Sequence, residues 1–255
     1  MTPRRQGTPI TVAIPALDEI ENLRFLLPQL SQIGKRLTNV NLRVIVVVGV
    51  DCPADEITEI QRLGASVVKR TPSNSFGDAI RTAIASSAND SDFVVFMDAD
   101  GSHSPKQIPV LLDHIHDADV VIASRYVQGG SSDNGIVLRA MSIALNRAYA
   151  IVLGIDCKDI STNFKVYRSS DLTELSLTCD NFDIVEELLF GVRTLKYPVD
   201  LRIVEIPDHF AQRRSGETKR RLGVYIASYI WTLWSLRRQR QSTQTGLGTN
   251  NDTRT

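Results

Sequence analysis

Phe93-Val94-Val95-Phe96-Met97-Asp98-Ala99-Asp100 is the run of residues on which the fold turns. Its first five residues are apolar, β-branched or aromatic for the most part, with no polar alternation. A strand that reads this way is buried on both faces, as in a parallel sheet covered by helices. The strand then stops on two carboxylates separated by one small residue. Moving outward, the same continuous apolar texture returns at residues 10–14 (ITVAI), 44–48 (VIVVV), 66–69 (SVVK) and 120–123 (VVIA). Helix-length segments lie between these runs; over residues 22–33, Leu23, Leu26, Leu27, Leu30 and Ile33 share one face. Strand and helix in alternation predict an α/β fold, a mostly parallel sheet flanked by helices with right-handed crossovers. Ligands of such sheets bind beyond the carboxyl ends of the strands, so the residues just after each strand are those to inspect.

The second half is less regular. Its pattern predicts a helix over residues 135–153, a strand over 164–167, a helix over 183–194 and a strand over 200–206. An arginine-rich loop then leads into an apolar segment at residues 222–236 (LGVYIASYIWTLWSL). The expected organisation is a flexible N-terminus at 1–9, one domain at 10–219, a C-terminal apolar helix at 220–238 and a disordered polar tail at 239–255. A formal net charge of zero gives no global reason to bind nucleic acid, so basic recognition is local. Cys52, Cys157 and Cys179 are far apart, with neither zinc spacing nor a disulfide framework, which points to a reducing compartment. Residues 1–9 do not read as a signal peptide, and no run reaches the ~18 apolar residues of a spanning helix. The expected location is the cytoplasm or the cytoplasmic face of a membrane.

Two carboxylates as close as Asp98 and Asp100 repel each other unless a cation lies between them or one is protonated. Hard oxygen ligands with small neighbours suit Mg2+ or Mn2+, which retains positions for phosphate oxygens. Ser102 and His103 follow and are candidates to complete the shell. The alternative for the pair is a solvated turn; for His103 it is a place at the start of a helix before Pro105. Gly77, in Phe76-Gly77-Asp78-Ala79, is expected to open the third helix near a bound nucleotide, with Asp78 as its cap or a ribose contact.

The segment FVVFMDADGSHSP at residues 93–105 resembles the metal-binding segment of family-2 glycosyltransferases of GT-A fold, most nearly the dolichol-phosphate and polyprenyl-phosphate mannosyltransferases. Five further blocks carry the resemblance in order. Ile14-Pro15-Ala16-Leu17-Asp18-Glu19 with Asn22-Leu23 is similar to the nucleotide-binding Pro-x-x-Asn-Glu block, Asp18 standing where Asn is usual. Asp51-Cys52-Pro53-Ala54-Asp55 resembles the block whose acid contacts base or ribose, with Gly49-Val50 in place of an expected acid. Ser124-Arg125-Tyr126 with Gly129-Gly130, the helical spacing of Arg139, Ser142 and Asn146, and DISTNFKVYR at 159–168 follow. Ile143 replaces a second arginine common in that helix. Arg213-Arg214-Ser215-Gly216-Glu217-Thr218-Lys219 resembles the Arg-x-x-Gly-x-Ser-Lys loop.

The resemblance implies an inverting, metal-dependent hexosyltransferase. Its donor, a GDP- or UDP-hexose carrying mannose or glucose, would contact Pro15, Leu17, Glu19, Asp51, Gly77, Asp98, Ala99, Asp100, Arg213 and Lys219. Asp98, Asp100 and Ser102 would hold the metal. Asp100, Arg213 and Lys219 would act on the diphosphate leaving group, where negative charge grows in the transition state; the alternative for the two cations is a solvated basic loop. The implied acceptor is a polyprenyl or dolichyl phosphate, met by Arg125, Arg139 and Ser142. Such a phosphate is already ionised, whereas a hydroxyl acceptor on a glycan, glycolipid or small molecule needs a base. Glu186 and Glu187 are candidates for that base or for a purely structural place. The aromatic segment at 222–236, flanked by Arg220-Arg221 and Arg237-Arg238, suits a helix lying at a membrane surface, or alternatively one packed on the sheet or in a dimer. A further reading is a nucleotide-sugar binding protein without activity.

Overall fold

The computed structural model describes residues 7–212. In chain order the elements are β1 (Thr8–Pro15), α1 (Ile20–Arg36), β2 (Val40–Val48), α2 (Ala54–Arg62), β3 (Ser66–Lys69), α3 (Phe76–Ser87) and β4 (Phe93–Phe96). A single tight turn at Pro105–Gln107 then runs into α4 (Ile108–His114), followed by β5 (Val120–Ser124), β6 (Ser131–Ser132) and α5 (Ile136–Leu153). The described part closes with β7 (Lys165–Arg168), α6 (Ser169–Thr173), α7 (Ile184–Lys196), β8 (Ile203–Pro207) and β9 (His209–Phe210).

Seven strands form one sheet in the order β3-β2-β1-β4-β7-β5-β8, and β6 pairs with β9 apart from it. Neighbours in the large sheet run parallel, except that β7 is antiparallel to both β4 and β5. The expected mostly parallel α/β sheet is therefore present. Its strands read as continuous apolar runs because each face has its own core. Val12, Ile14, Val46, Val95 and Val121 pack with Leu23, Leu27 and Leu30 of α1 and Leu111 of α4. Ala13, Ile45, Val47, Val94 and Ile122 pack on the other side with Ile80 of α3, Tyr149 of α5 and Leu188 of α7. A Leu or Ile buried this fully contributes about 1.5–3 kcal/mol over exposure.

Two details of α3 correct the sequence reading. Its cap is Ser75, whose hydroxyl accepts from the Asp78 backbone N–H at 2.9 Å; Asp78 is not the cap. The Asp78 carboxylate instead turns back to accept from the Ser73 N–H and hydroxyl and from Arg81. Gly77 has a packing requirement of its own: a Cβ there would lie 2.1 Å from the Cys179 carbonyl oxygen, and its N–H donates to the Asp180 carbonyl at 2.8 Å.

α5 overturns the expectation that no segment is long and apolar enough to span a membrane. It has 18 residues, a mean hydropathy of 1.5 and only 17% of its window buried, so by length and composition it passes. Asn146, Tyr149 and Leu153 are its buried residues, one stripe three to four residues apart. Ile136, Val137, Leu138, Met141, Ile143 and Ile151 are all exposed, Ile136 at 88%. Gly154, at φ 66°, ends the helix in the left-handed conformation that glycine adopts without strain. The apolar segment expected at 220–238 and the tail at 239–255 lie outside the described residues.

Candidate active site

The carboxyl ends of β1, β2 and β4 lie side by side along one edge of the sheet, and the antiparallel course of β7 brings the segment that precedes it, residues 159–164, to the same edge. Glu19, just before α1, accepts the backbone N–H groups of Leu17 and Asp18 on Oε2, at 2.5 and 3.0 Å, and so fixes the turn after β1. Gly49, after β2, packs against Leu17; a Cβ would come within 2.9 Å of the Leu17 side chain. The next N–H, of Val50, donates to the Asn74 side-chain oxygen at 2.7 Å. Asp51 is exposed at the mouth of this turn. Arg70, directly after β3, threads beneath it: its guanidinium donates to the carbonyls of Ala16 at 2.8 Å and Asn74 at 2.9 Å. Burial pushes the Arg70 guanidinium below its ordinary pKa, opposed by Glu19, Asp18 and Asp78. Pro15, Leu17 and Glu19 thus lie beside the turn that carries Asp51.

Asp98 and Asp100 follow β4. Ser102 donates to Asp100 Oδ1 from both its N–H, at 3.0 Å, and its hydroxyl, at 2.5 Å, so Ser102 is tied to Asp100 within the turn. The small Ala99 is buried between the two carboxylates. Asn163 donates its side-chain N–H to Asp98 Oδ1 at 2.9 Å. His103 is fully buried, with Nε2 3.6 Å from Asp98 Oδ2 and Nδ1 3.4 Å from Asp208 Oδ2. The Asp98 separation is an ion-pair distance, too long for a hydrogen bond. Burial works against the charged ring, but Asp208 and Asp98 outweigh it and hold the His103 pKa up to about 9. Phe164 and Phe210 flank the ring at 5.0 and 5.3 Å.

Hard oxygen ligands at a strand end fit Mg2+ or Mn2+, ions that take further ligands from water and phosphate oxygens. Among the described residues no group of three or more His, Cys, Asp or Glu is arranged to hold a metal.

Arg125, at the end of β5, is engaged within the protein. Its Nε and one terminal nitrogen bind the two oxygens of Asp159 at 2.8 and 2.6 Å, and that nitrogen also reaches the Ser161 hydroxyl at 2.9 Å. Burial would lower its pKa, but the Asp159 carboxylate more than compensates and keeps it charged. Arg139 is exposed on α5 and Ser142 is half-buried one turn on. Asn146, a further turn along, joins that helix to the same segment: it donates to the Ser161 hydroxyl at 3.0 Å and accepts from the Ser161 N–H at 2.8 Å. Glu187 accepts from the Thr178 N–H and hydroxyl and from the Cys179 N–H, and Glu186 is fully buried near Lys165 and Tyr167. The structural place weighed for Glu187 is the one these bonds describe. Gly77 sits on α3 against Cys179, as above. Arg213 and Lys219 lie outside the described residues.

Sequence reading assigns no role to Arg70, Asn74 and Asp208, although Arg70 and Asp208 each stand directly after a strand. Asn163 and Lys165 belong to the quoted 159–168 block, but their partners, Asp98 for one and the Ile160 and Thr162 carbonyls for the other, are set by tertiary folding.

The sequence profile described as glycosyl transferase family 2 matches residues 11–176. The undecaprenyl-phosphate mannosyltransferase of Micrococcus luteus is 34% identical over 168 residues, covering 62% of this chain and 65% of that protein. The dolichol-phosphate mannosyltransferase of Pyrococcus furiosus is 31% identical over 236 residues, covering 89% of this chain and 63% of that protein. The matches span less than two thirds of either relative's own length. Among solved structures, glucosyl-3-phosphoglycerate synthase from Mycobacterium tuberculosis, in complex with Mn2+, UDP-glucose and phosphoglyceric acid, superposes with a TM-score of 0.64. That match covers 91% of this chain and 80% of the other at 21% identity, and at that identity the likeness is one of fold.

Proposed function

The chain belongs to glycosyl transferase family 2, and from that premise we propose that it moves a hexose, mannose or glucose, from a GDP- or UDP-sugar to a polyprenyl phosphate, with inversion. The observation that carries the acceptor half is α5. It starts three residues beyond the Asp133 that accepts the Gln212 N–H, is tied to the site through Asn146 and Ser161, and turns six large apolar side chains outward. An outward apolar face suits a helix lying on a membrane, where a lipid phosphate is presented; Arg139 lies off that face, on the side of the helix that carries Ser142 and Asn146. The names of the Micrococcus and Pyrococcus relatives agree with that acceptor class.

The donor half rests on the carboxyl ends of β1, β2 and β4. Glu19 and Arg70 shape the turn that would hold the nucleotide, with Asp51 at its mouth. Asp98 and Asp100, with Ser102 beside them, would bind Mg2+ or Mn2+. A bound divalent ion supplies positive charge to the diphosphate as its bond to the anomeric carbon breaks. The acceptor phosphate oxygen is ionised near neutral pH, so no side chain has to remove a proton from it. That fits a site in which Glu187 is occupied holding Thr178 and Cys179. Arg139 and Ser142 would meet the acceptor phosphate; Arg125, locked to Asp159, would act mainly by holding that edge of the site in shape. Arg213 and Lys219 would close over the diphosphate.

The test is a panel of GDP- and UDP-sugars with a short-chain polyprenyl phosphate and, in separate arms, glycan and small-molecule hydroxyl acceptors, read by mass spectrometry with and without EDTA. A hexosyl polyprenyl phosphate that disappears on chelation is expected. Hexose appearing only on hydroxyl acceptors, or no product with any donor, would overturn the proposal.

A further inference from the structure

Asp98 needs more than its own strand to keep its carboxylate in place. It lies two residues from Asp100, so like-charge repulsion favours its turning outward toward solvent, and its side chain is 25% exposed. The side-chain amide of Asn163 opposes that turn by donating to Asp98 Oδ1 at 2.9 Å. Asn163 is buried, and it sits on a stretch of chain held at nearly every residue. The N–H groups of Lys158 and Asp159 are taken by the Glu205 carboxylate at 2.9 and 3.0 Å. Asp159 clamps Arg125, and Ser161 is bound both ways by Asn146. The buried Lys165 ammonium donates to the carbonyls of Ile160, at 2.8 Å, and Thr162. Burial pushes the Lys165 pKa down, yet the two carbonyls give its charge a fixed pair of acceptors. The amide therefore approaches Asp98 from a rigid support and loses little entropy in making its bond.

We propose that Asn163 is a positioning residue for the metal site, a neutral donor that holds Asp98 in the rotamer in which its carboxylate faces a cation shared with Asp100. The inference rests on the reading of Asp98 and Asp100 as the metal ligands. A neutral amide suits this place. It satisfies Oδ1 without adding a second positive charge to that of His103, whose Nε2 already lies 3.6 Å from Asp98 Oδ2. Groups that orient a ligand in this way typically matter by 10–100-fold in metal affinity.

The test uses the full chain and Mn2+ as probe, with GDP and UDP in separate arms, reading free against bound Mn2+ by electron paramagnetic resonance. Asn163→Leu keeps the volume and removes the donor; Asn163→Ala removes both, and thermal melts report whether each variant is folded. In folded variants the Mn2+ dissociation constant is expected to rise about tenfold, while kcat at saturating Mn2+ changes by a smaller factor. A role confined to packing would lower the melting temperature without moving the metal constant. A constant within twofold of wild type in both folded variants, or a fall in kcat alone, overturns the inference and leaves the metal reading intact. Asn163→Ser, a small polar side chain whose hydroxyl stops short of the Asp98 carboxylate, decides the matter if the other two do not fold: a metal constant within twofold of wild type overturns the inference, and a rise supports it. If wild type binds no Mn2+ with either nucleotide, the metal reading fails and this inference falls with it.

Discussion

At the scale of single residues, the site is a set of carboxylates aimed by their neighbours. Asp100→Asn removes a charge but leaves an oxygen to accept from Ser102, so the turn is preserved. Turnover is expected to fall at least ~100-fold, the usual cost of losing one preorganised charge at a reacting centre. Turnover within tenfold of wild type would take this carboxylate out of the reaction. Asp78 offers a pH measurement away from the chemistry. Burial works against its charge, but hydrogen bonds from Ser73, Arg81 and Ser75 prevail and hold its pKa down to about 2. Unfolded aspartate titrates near ~3.9. The folded state therefore favours the ionised form, and the stability this adds is complete above about pH 4 and lost as pH falls toward about 2. Urea midpoints of wild type and Asp78→Asn are expected to differ most above pH 4 and to converge as the solution is acidified. A gap that stays constant from pH 5 to pH 2 would show that Asp78 acts through shape alone.

Among the elements, α5 is the one whose surface asks for a surrounding other than water. Replacing Ile136 and Ile151, exposed at 88% and 72%, by glutamate is expected to weaken cosedimentation with phosphatidylcholine–phosphatidylglycerol vesicles at least ~10-fold. Because neither side chain packs on the domain, the melting temperature is expected to stay within a few degrees of wild type. Unchanged sedimentation would remove α5 from the membrane reading. The strands were legible in the sequence because both faces are buried, so apolar texture alone marked them. The direction of β7 was not legible. Texture does not encode polarity of the chain, and Lys165 stands in that strand where an apolar residue would be expected. The length of α5 was legible, but which side faces inward was not, since its apolar residues run round most of the helix. The Asp98–Asp100 pair could be read because its members are adjacent. His103 and Asp208, 105 residues apart, could not.

For the molecule as a whole, metal and nucleotide binding should register as global stability, since the proposed site draws on β1, β2, β4 and the segment before β7 together. A ligand at 100 times its dissociation constant stabilises the folded state by about 2.7 kcal/mol. In a chain of this size that raises the melting temperature by roughly 5–10 °C. Mn2+ with GDP or UDP is expected to give such a shift, and EDTA to abolish it; a shift from nucleotide alone that EDTA leaves untouched would contradict a shared ion. The order of strands in the sheet bears on heredity as well. The groups assigned to the donor fall mostly on residues 15–102 and those assigned to the acceptor on residues 125–142, so the two tasks occupy successive blocks of the gene. Their junction in the folded protein is the antiparallel β7, paired with β4 on one side and β5 on the other. A chimera joined between α4 and β5 to another member of the family would exchange the acceptor block and keep the donor block. Its success would depend on the match across β4 and β7, with the amide at 163 as the stitch between the two parents.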